Sequence, residues 1–319
     1  MHRLARLAVV FLAVVQSGLA SPAERARPMF TKPEQVLKWI NDYRQHPEPG
    51  LVPDMVRALG DLGLLRDFDQ AGIYIGFTAG VLGSNSAKAE RLAVEMFPLP
   101  PEDQPLVIKA IVYSGLPEWK DVLSAVIERM PARKVMIDRY LYGEGKMLDE
   151  LGPDEGAFAL DVNWGYYFAT GSQIPIRRIV TTLALASDRN DVEKLTIGSM
   201  AKWTLATNAS RDLSLLNILK REINHQDEKI RRELGEVILA AETFETGRIR
   251  KEAMAAIDAL KAKGPEDSRR FAWWGQAGQT ALALGCVAAS VTGHVEAGIP
   301  CVVGGAVSTA ALKLFSPQP

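Results

Sequence analysis

The chain predicts an all-α fold of stacked helix–turn–helix pairs that closes with an apolar C-terminal helical hairpin. Three observations point there. Apolar residues recur at helical spacing from Val36 onward. Alternating runs stop at about five residues, and no Asn-Gly or Asp-Gly turn joins two of them. Four windows of the sequence also share one order of residue types, the mark of a repeated helical hairpin.

The elements follow in order. Thr31-Lys32-Pro33-Glu34 has the form of a capping box with proline in the first turn, and Val36, Leu37, Ile40 and Tyr43 follow on one face. Pro53 opens a second segment with Val56, Leu59 and Leu62. Segments 69–82 and 86–97 are parted by Gly83-Ser84-Asn85, and Pro98 to Pro101 stop the latter. Segments 102–113 and 118–130 are parted by Ser114 to Pro117. The stretch 132–161, rich in glycine and acids, reads as irregular.

The windows begin at Gly76, Ala110, Gly165 and Ala201, with steps of 34, 55 and 36 residues. Each runs from a small residue through an aromatic and a small-residue turn to an aliphatic helix. In period and in the placing of small and aromatic residues this resembles tetratricopeptide and related solenoids. The Trp-x-x-Leu-Gly signature is missing, so the resemblance carries no functional residue across. What it implies is an extended concave surface built from helix pairs that cannot bury their apolar faces alone.

From Asp227 the chain turns charged and amphipathic, with segments 228–245 and 249–263 placing Leu234, Val237 and Ile238 on a buried stripe. The expected divisions are therefore a signal at 1–20, a helical-repeat domain at 21–226, charged helices at 227–264 and the apolar hairpin at 265–319. The hairpin arms, 280–292 and 297–315, hold one charge, Lys313, and follow Arg269, Arg270, Trp273 and Trp274. Two arginines before two tryptophans suit a lipid headgroup zone, which makes membrane association through 269–315 an alternative. The first arm is about 20 Å long, short of a bilayer core of about 30 Å.

The N-terminus reads as a secretory signal: Arg3 and Arg6, the apolar run 7–15, and small residues before cleavage between Ala20 and Ser21. The expected location is the periplasm or outside the cell. Losing Arg3 and Arg6 takes 37 basic residues to 35 against 38 acids, a net charge of −3. Such a balance gives no electrostatic case for nucleic acid. In an oxidising compartment the two cysteines, Cys286 and Cys301, are expected to form a disulfide. The sparse histidines show no ligand spacing, so neither metal nor cofactor is expected.

Candidate ligand-binding residues are the aromatics that recur in the windows, Tyr113, Trp164, Tyr167 and Trp203, with Asp161 one turn before Trp164. An aromatic wall with an acid suits a peptide or sugar, and the alternative for these residues is core packing. Ser199-Met200-Ala201-Lys202 matches S-x-x-K, in which a desolvated lysine activates a serine nucleophile; the companion motifs are absent. The acids Glu144, Asp149, Glu150, Asp154 and Glu155 offer a carboxylate pair, and Asn208-Ala209-Ser210 is a glycosylation triplet. The leading expectation is an exported binding or scaffold protein with a protein or peptide partner. Membrane association and a cell-wall-directed serine hydrolase are the alternatives.

Overall fold

A computed structural model describes residues 30–66, 71–143, 145–152, 155–244 and 246–261. The signal at 1–20 with its Ala20/Ser21 junction, the Cys286–Cys301 pair and the hairpin at 265–319 lie outside the described residues.

The described residues are helical, with no strand among them. α1 (Pro33–Asp42) begins one residue later than the Thr31 capping box implies. Lys32 is the residue before the helix, which puts Gln35, not Glu34, at the third helical position. The Gln35 Oε1 accordingly accepts the Thr31 and Lys32 backbone N–H groups at 2.7 and 3.0 Å. α2 (Val52–Asp61) carries Pro53 in its first turn, where no amide is needed. α3 (Gly72–Ser84) and α4 (Ser86–Glu95) are parted by Asn85 alone, because α3 continues through Gly83 and Ser84. α5 (Gln104–Val112) and α6 (Trp119–Val126) follow. The stretch expected to be irregular contains α7 (Lys134–Leu141) and the start of α8 (Gly156–Thr170).

α8 ends at Gly171, whose φ of 67° gives the left-handed cap that lets its N–H reach the Tyr167 carbonyl at 2.7 Å. Ser172 then caps α9 (Gln173–Thr182), Asp191 caps α10 (Val192–Ala209), Asp212 caps α11 (Leu213–Glu222) and Asp227 caps α12 (Glu228–Glu242). Each side-chain oxygen satisfies first-turn amides that have no partner within the helix. α13 (Thr246–Lys261) is the last described helix.

The four windows coincide with four packed hairpins: α3/α4, α5/α6, α8/α9 and α10/α11. Their first helices form an inner row in the order α5, α3, α8, α10, and their second helices lie outside. Inner helices are apolar on every side: α3 buries 11 of its 13 residues and α8 buries 12 of 15. Outer helices bury one stripe, as in α4, where Ala89, Leu92 and Ala93 are the buried residues. α12 and α13 pack on α10 and extend the same body.

The row is not in chain order, since the closest neighbours are α3 and α8. They run parallel: Gly72 meets Asp161, Gly76 meets Val162 and Gly80 meets Ala169. The approach is close enough to exclude a methyl group. A Cβ on Gly76 would stand 1.9 Å from the Val162 carbonyl oxygen, and one on Gly165 would stand 2.1 Å from the Ile73 carbonyl oxygen. The contact is reciprocal, because each glycine presses on the residue three before the other. The seam is made by residues at i, i+4 and i+8 on both helices, Gly72/Gly76/Gly80 on α3 and Asp161/Gly165/Ala169 on α8, all small except Asp161.

This seam yields a stability prediction. Gly76→Ala forces two backbones apart and costs about 3 kcal/mol, the upper end of overpacking penalties. Gly235→Ala in α12 is the control, because a Cβ there meets only Ile223 Cδ1 at 4.0 Å. The control gains about 0.5–1 kcal/mol from helix propensity. Chemical denaturation of the two variants should therefore move in opposite directions.

Candidate functional site

The five residues expected to line an open groove are buried. Trp164 and Tyr167 have no exposed surface, and Tyr113, Trp203 and Asp161 retain between 2 and 9 %. The shared face of α8 exists as expected: Trp164 stacks on Phe168 with centroids 5.7 Å apart and meets Tyr167 edge-on at 5.9 Å. That face points inward, because α8 stands between α3, α9 and α10. The indole Nε1 of Trp164 donates to Thr204 Oγ1 on α10 at 3.1 Å. Tyr113 sits beneath Lys109, whose Nζ lies 5.9 Å from its ring centroid. These side chains bind α8, α5 and α10 into the core and are not free to hold a ligand.

Tyr167 has a second part, a clasp. Its hydroxyl donates to Asp212 Oδ2 at 2.7 Å, and Arg44 Nη1 donates to the Tyr167 hydroxyl at 3.1 Å. Arg44 Nη2 reaches the same Asp212 oxygen at 2.5 Å, with its guanidinium 4.5 Å from the Tyr167 ring centroid. Asp212 Oδ1 meanwhile caps α11 through the Ser214 and Leu215 amides. One carboxylate thus ties the chain following α1 to α8 and α11. Burial pushes the Asp212 pKa up, but the hydrogen bonds from Tyr167 and Arg44 outweigh it and hold the pKa below its usual value. Burial also raises the Tyr167 phenol, assisted by its donation to Asp212.

A cavity of about 290 Å³ brings together residues from the turn before α10, from α10 itself, and from α12 and α13, including Ser187, Arg189, Ser199, Lys202, Glu236 and Glu252. Ser199 and Lys202 are the S-x-x-K pair, one turn apart on α10. Lys202 Nζ bonds Glu233 at 2.7 Å and Glu236 at 2.5 Å, and Arg232 reaches the other Glu233 oxygen at 3.1 Å. Burial lowers the Lys202 pKa, yet hydrogen bonds and charge from Glu233 and Glu236 more than offset it, so the ammonium is held above its usual value. A lysine that activates serine needs the opposite shift. In this arrangement Lys202 is a fixed cation that joins α10 to α12. Sequence spacing picked out the serine and lysine, but Glu233 and Glu236, about thirty positions away, decide their state.

Of the remaining sequence candidates, Glu144 and Asp154 lie outside the described residues, and Glu150, Glu155 and Asn208 have local tasks. Glu150 accepts the Met147 amide at 2.7 Å, and Glu155 pairs with Lys146. Asn208 is buried within α10 and its Nδ2 donates to the Thr204 carbonyl at 2.9 Å, so the Asn208-Ala209-Ser210 triplet is closed to a glycan. Among the described residues no group of three or more His, Cys, Asp or Glu side chains could hold a metal ion, and no helix is long and apolar enough to cross a membrane.

The clasp carries a pH prediction. A depressed folded-state pKa means that Asp212 stabilises the fold above the unfolded carboxylate pKa of about 3.9, and that this is lost as pH falls through the lower folded value. Asp212→Asn keeps a capping side chain and removes the charge. Wild type should exceed the variant by about 1.5–3 kcal/mol near pH 7, the range for hydrogen bonds to charged groups. Urea titrations should show the gap closing below about pH 4.

Comparison of the whole chain with protein-family models, with curated proteins and with solved structures finds no match.

Proposed function

We propose that the chain is an exported helical binding protein, a scaffold of tetratricopeptide-like stacked pairs that engages a protein or peptide partner in the periplasm or outside the cell. The export signal read from residues 1–20 and the agreement between the repeat windows and the helix hairpins support this reading. Because the first helices α3 and α8 are adjacent, the pairs are best described as two double hairpins set side by side through these helices.

The observation that carries the binding role is a pair of outward apolar side chains. Ile174 in α9 and Leu213 in α11 are 56 and 76 % exposed. Both lie by the clasp: Leu213 follows Asp212, and Ile174 comes three residues after Gly171, which approaches the Arg44 side chain. Large aliphatic residues on neighbouring helix starts, beside a rigid charged clasp, provide an anchor for a partner without disturbing the core. They take the place of the buried aromatics as the contact residues of this proposal.

The test is capture from the exported fraction with the full chain as bait, followed by mass spectrometry. Ile174→Ser with Leu213→Ser should abolish capture, while stability stays within about 0.5 kcal/mol per site, as for surface positions generally. Equal capture by the double variant removes the proposal. Trp164→Ala, by contrast, should lose about 3–5 kcal/mol of stability, the cost of emptying a core tryptophan site, which a denaturant melt will read directly.

A further inference from the structure

The charges around the cavity between α10, α12 and α13 are balanced in number and unequal in pairing. Three cations, Arg189, Lys202 and Arg232, face three carboxylates, Glu233, Glu236 and Glu252. Lys202 is paired with two carboxylates, and Glu233 is shared by Lys202 and Arg232. Arg189 has no ion pair among the described residues. Two residues earlier in the same turn, Ser187 Oγ is buried without a hydrogen-bond partner among the described residues. On the other side, Glu236 pairs among the described residues with Lys202, and Glu252 with Arg248 at 3.1 Å, so both keep acceptor capacity; a carboxylate has about four lone-pair sites.

We infer that this cavity binds a small zwitterion, a free amino acid or a dipeptide. The inference rests on the reading of the chain as a binding protein and gives it a second, small-molecule site. The ligand carboxylate takes the Arg189 guanidinium, a charge-assisted donor. The ligand ammonium takes Glu236 and Glu252. Opposite poles explain the choice over a simple anion or cation: with the lining neutral overall, an ion of one sign is attracted by one wall and repelled by the other. A net-neutral ligand with both charges pairs with the groups that the protein leaves unsatisfied. The volume of about 290 Å³ lies at the small end of ligand cavities, which fits a compact molecule. Leu195 and Ile249 supply an apolar surface for a side chain.

The experiment is a thermal-shift screen of the purified full chain against the common amino acids and L-alanyl-L-alanine, with calorimetric titration of the best binder. N-acetyl-L-alanine and L-alaninamide, each with one charge, are the comparison probes. A zwitterion should bind saturably and at least about tenfold more tightly than either comparison probe, and Arg189→Met should weaken it about tenfold or more. Arg189 is exposed and has no ion pair among the described residues, so the variant should melt with wild type. A silent screen, equal binding of N-acetyl-L-alanine, or wild-type affinity in Arg189→Met overturns the inference. Partner capture that persists alongside a silent screen rejects the cavity assignment alone; zwitterion binding with no partner captured rejects the scaffold reading alone.

Discussion

The rest of the structure depends on the close approach of two backbones at Gly76 and Gly165. Each glycine removes the one atom that would hold the helices apart, and the Val162 and Ile73 carbonyls move into the vacated space. Backbone contact at this range excludes water and adds weak Cα–H···O contacts to dispersion. It also sets the geometry of everything attached. Parallel helices in one chain need a long return, and α4 to α7 provide it. With α3 and α8 fixed as the centre, α5 and α10 are the flanking positions of the row, and the outer helices cover what remains.

That arrangement separates two kinds of polar group. The half-buried clasp of Arg44, Tyr167 and Asp212 and the bond from Trp164 to Thr204 pair polar groups within the protein, and they bring elements distant in sequence into one register. Breaking such a group is costly because it strands a buried partner. The cavity under α13 is different. Its ion pairs hold α10 and α12 together, yet among the described residues Arg189 has no ion pair and the outer carboxylates retain acceptor capacity. Rigid walls with unsatisfied groups are the physical condition for recognition, because the protein does not have to reorganise when the ligand arrives.

Much of the helical order was legible, and for simple reasons. Amphipathic helices announce themselves by period, as at Val36, Leu37 and Ile40, and the prolines at 33 and 53 mark starts because they need no amide donor there. α7 was hidden, since its flanking glycines and acids looked like loop and it buries only one residue, Ile137. The aromatic face of α8 was readable, but its direction was not. An all-round apolar helix has no polar face to say which side meets solvent, so Trp164, Tyr167 and Tyr113 could be assigned to a groove as easily as to a core. The seam left a trace in the glycine spacing at 72, 76 and 80, and Gly76 and Gly165 already stood as equivalent positions in the repeat windows. Pairing them required knowing that α3 and α8 touch.

The Ser199–Lys202 pair shows why local spacing alone cannot assign chemistry. One helical turn places the two side chains on one face, and that much is guaranteed by 3.6 residues per turn. Whether the lysine is a base depends on what surrounds its nitrogen. A desolvated amine surrounded by apolar groups loses its proton readily, and the same amine between two carboxylates keeps it. Here α12 supplies Glu233 and Glu236, so the motif is a charged strut. Its partners came from packing, in which the inner row carries α10 against α12, and that row in turn follows from two glycines that allow α3 and α8 to meet.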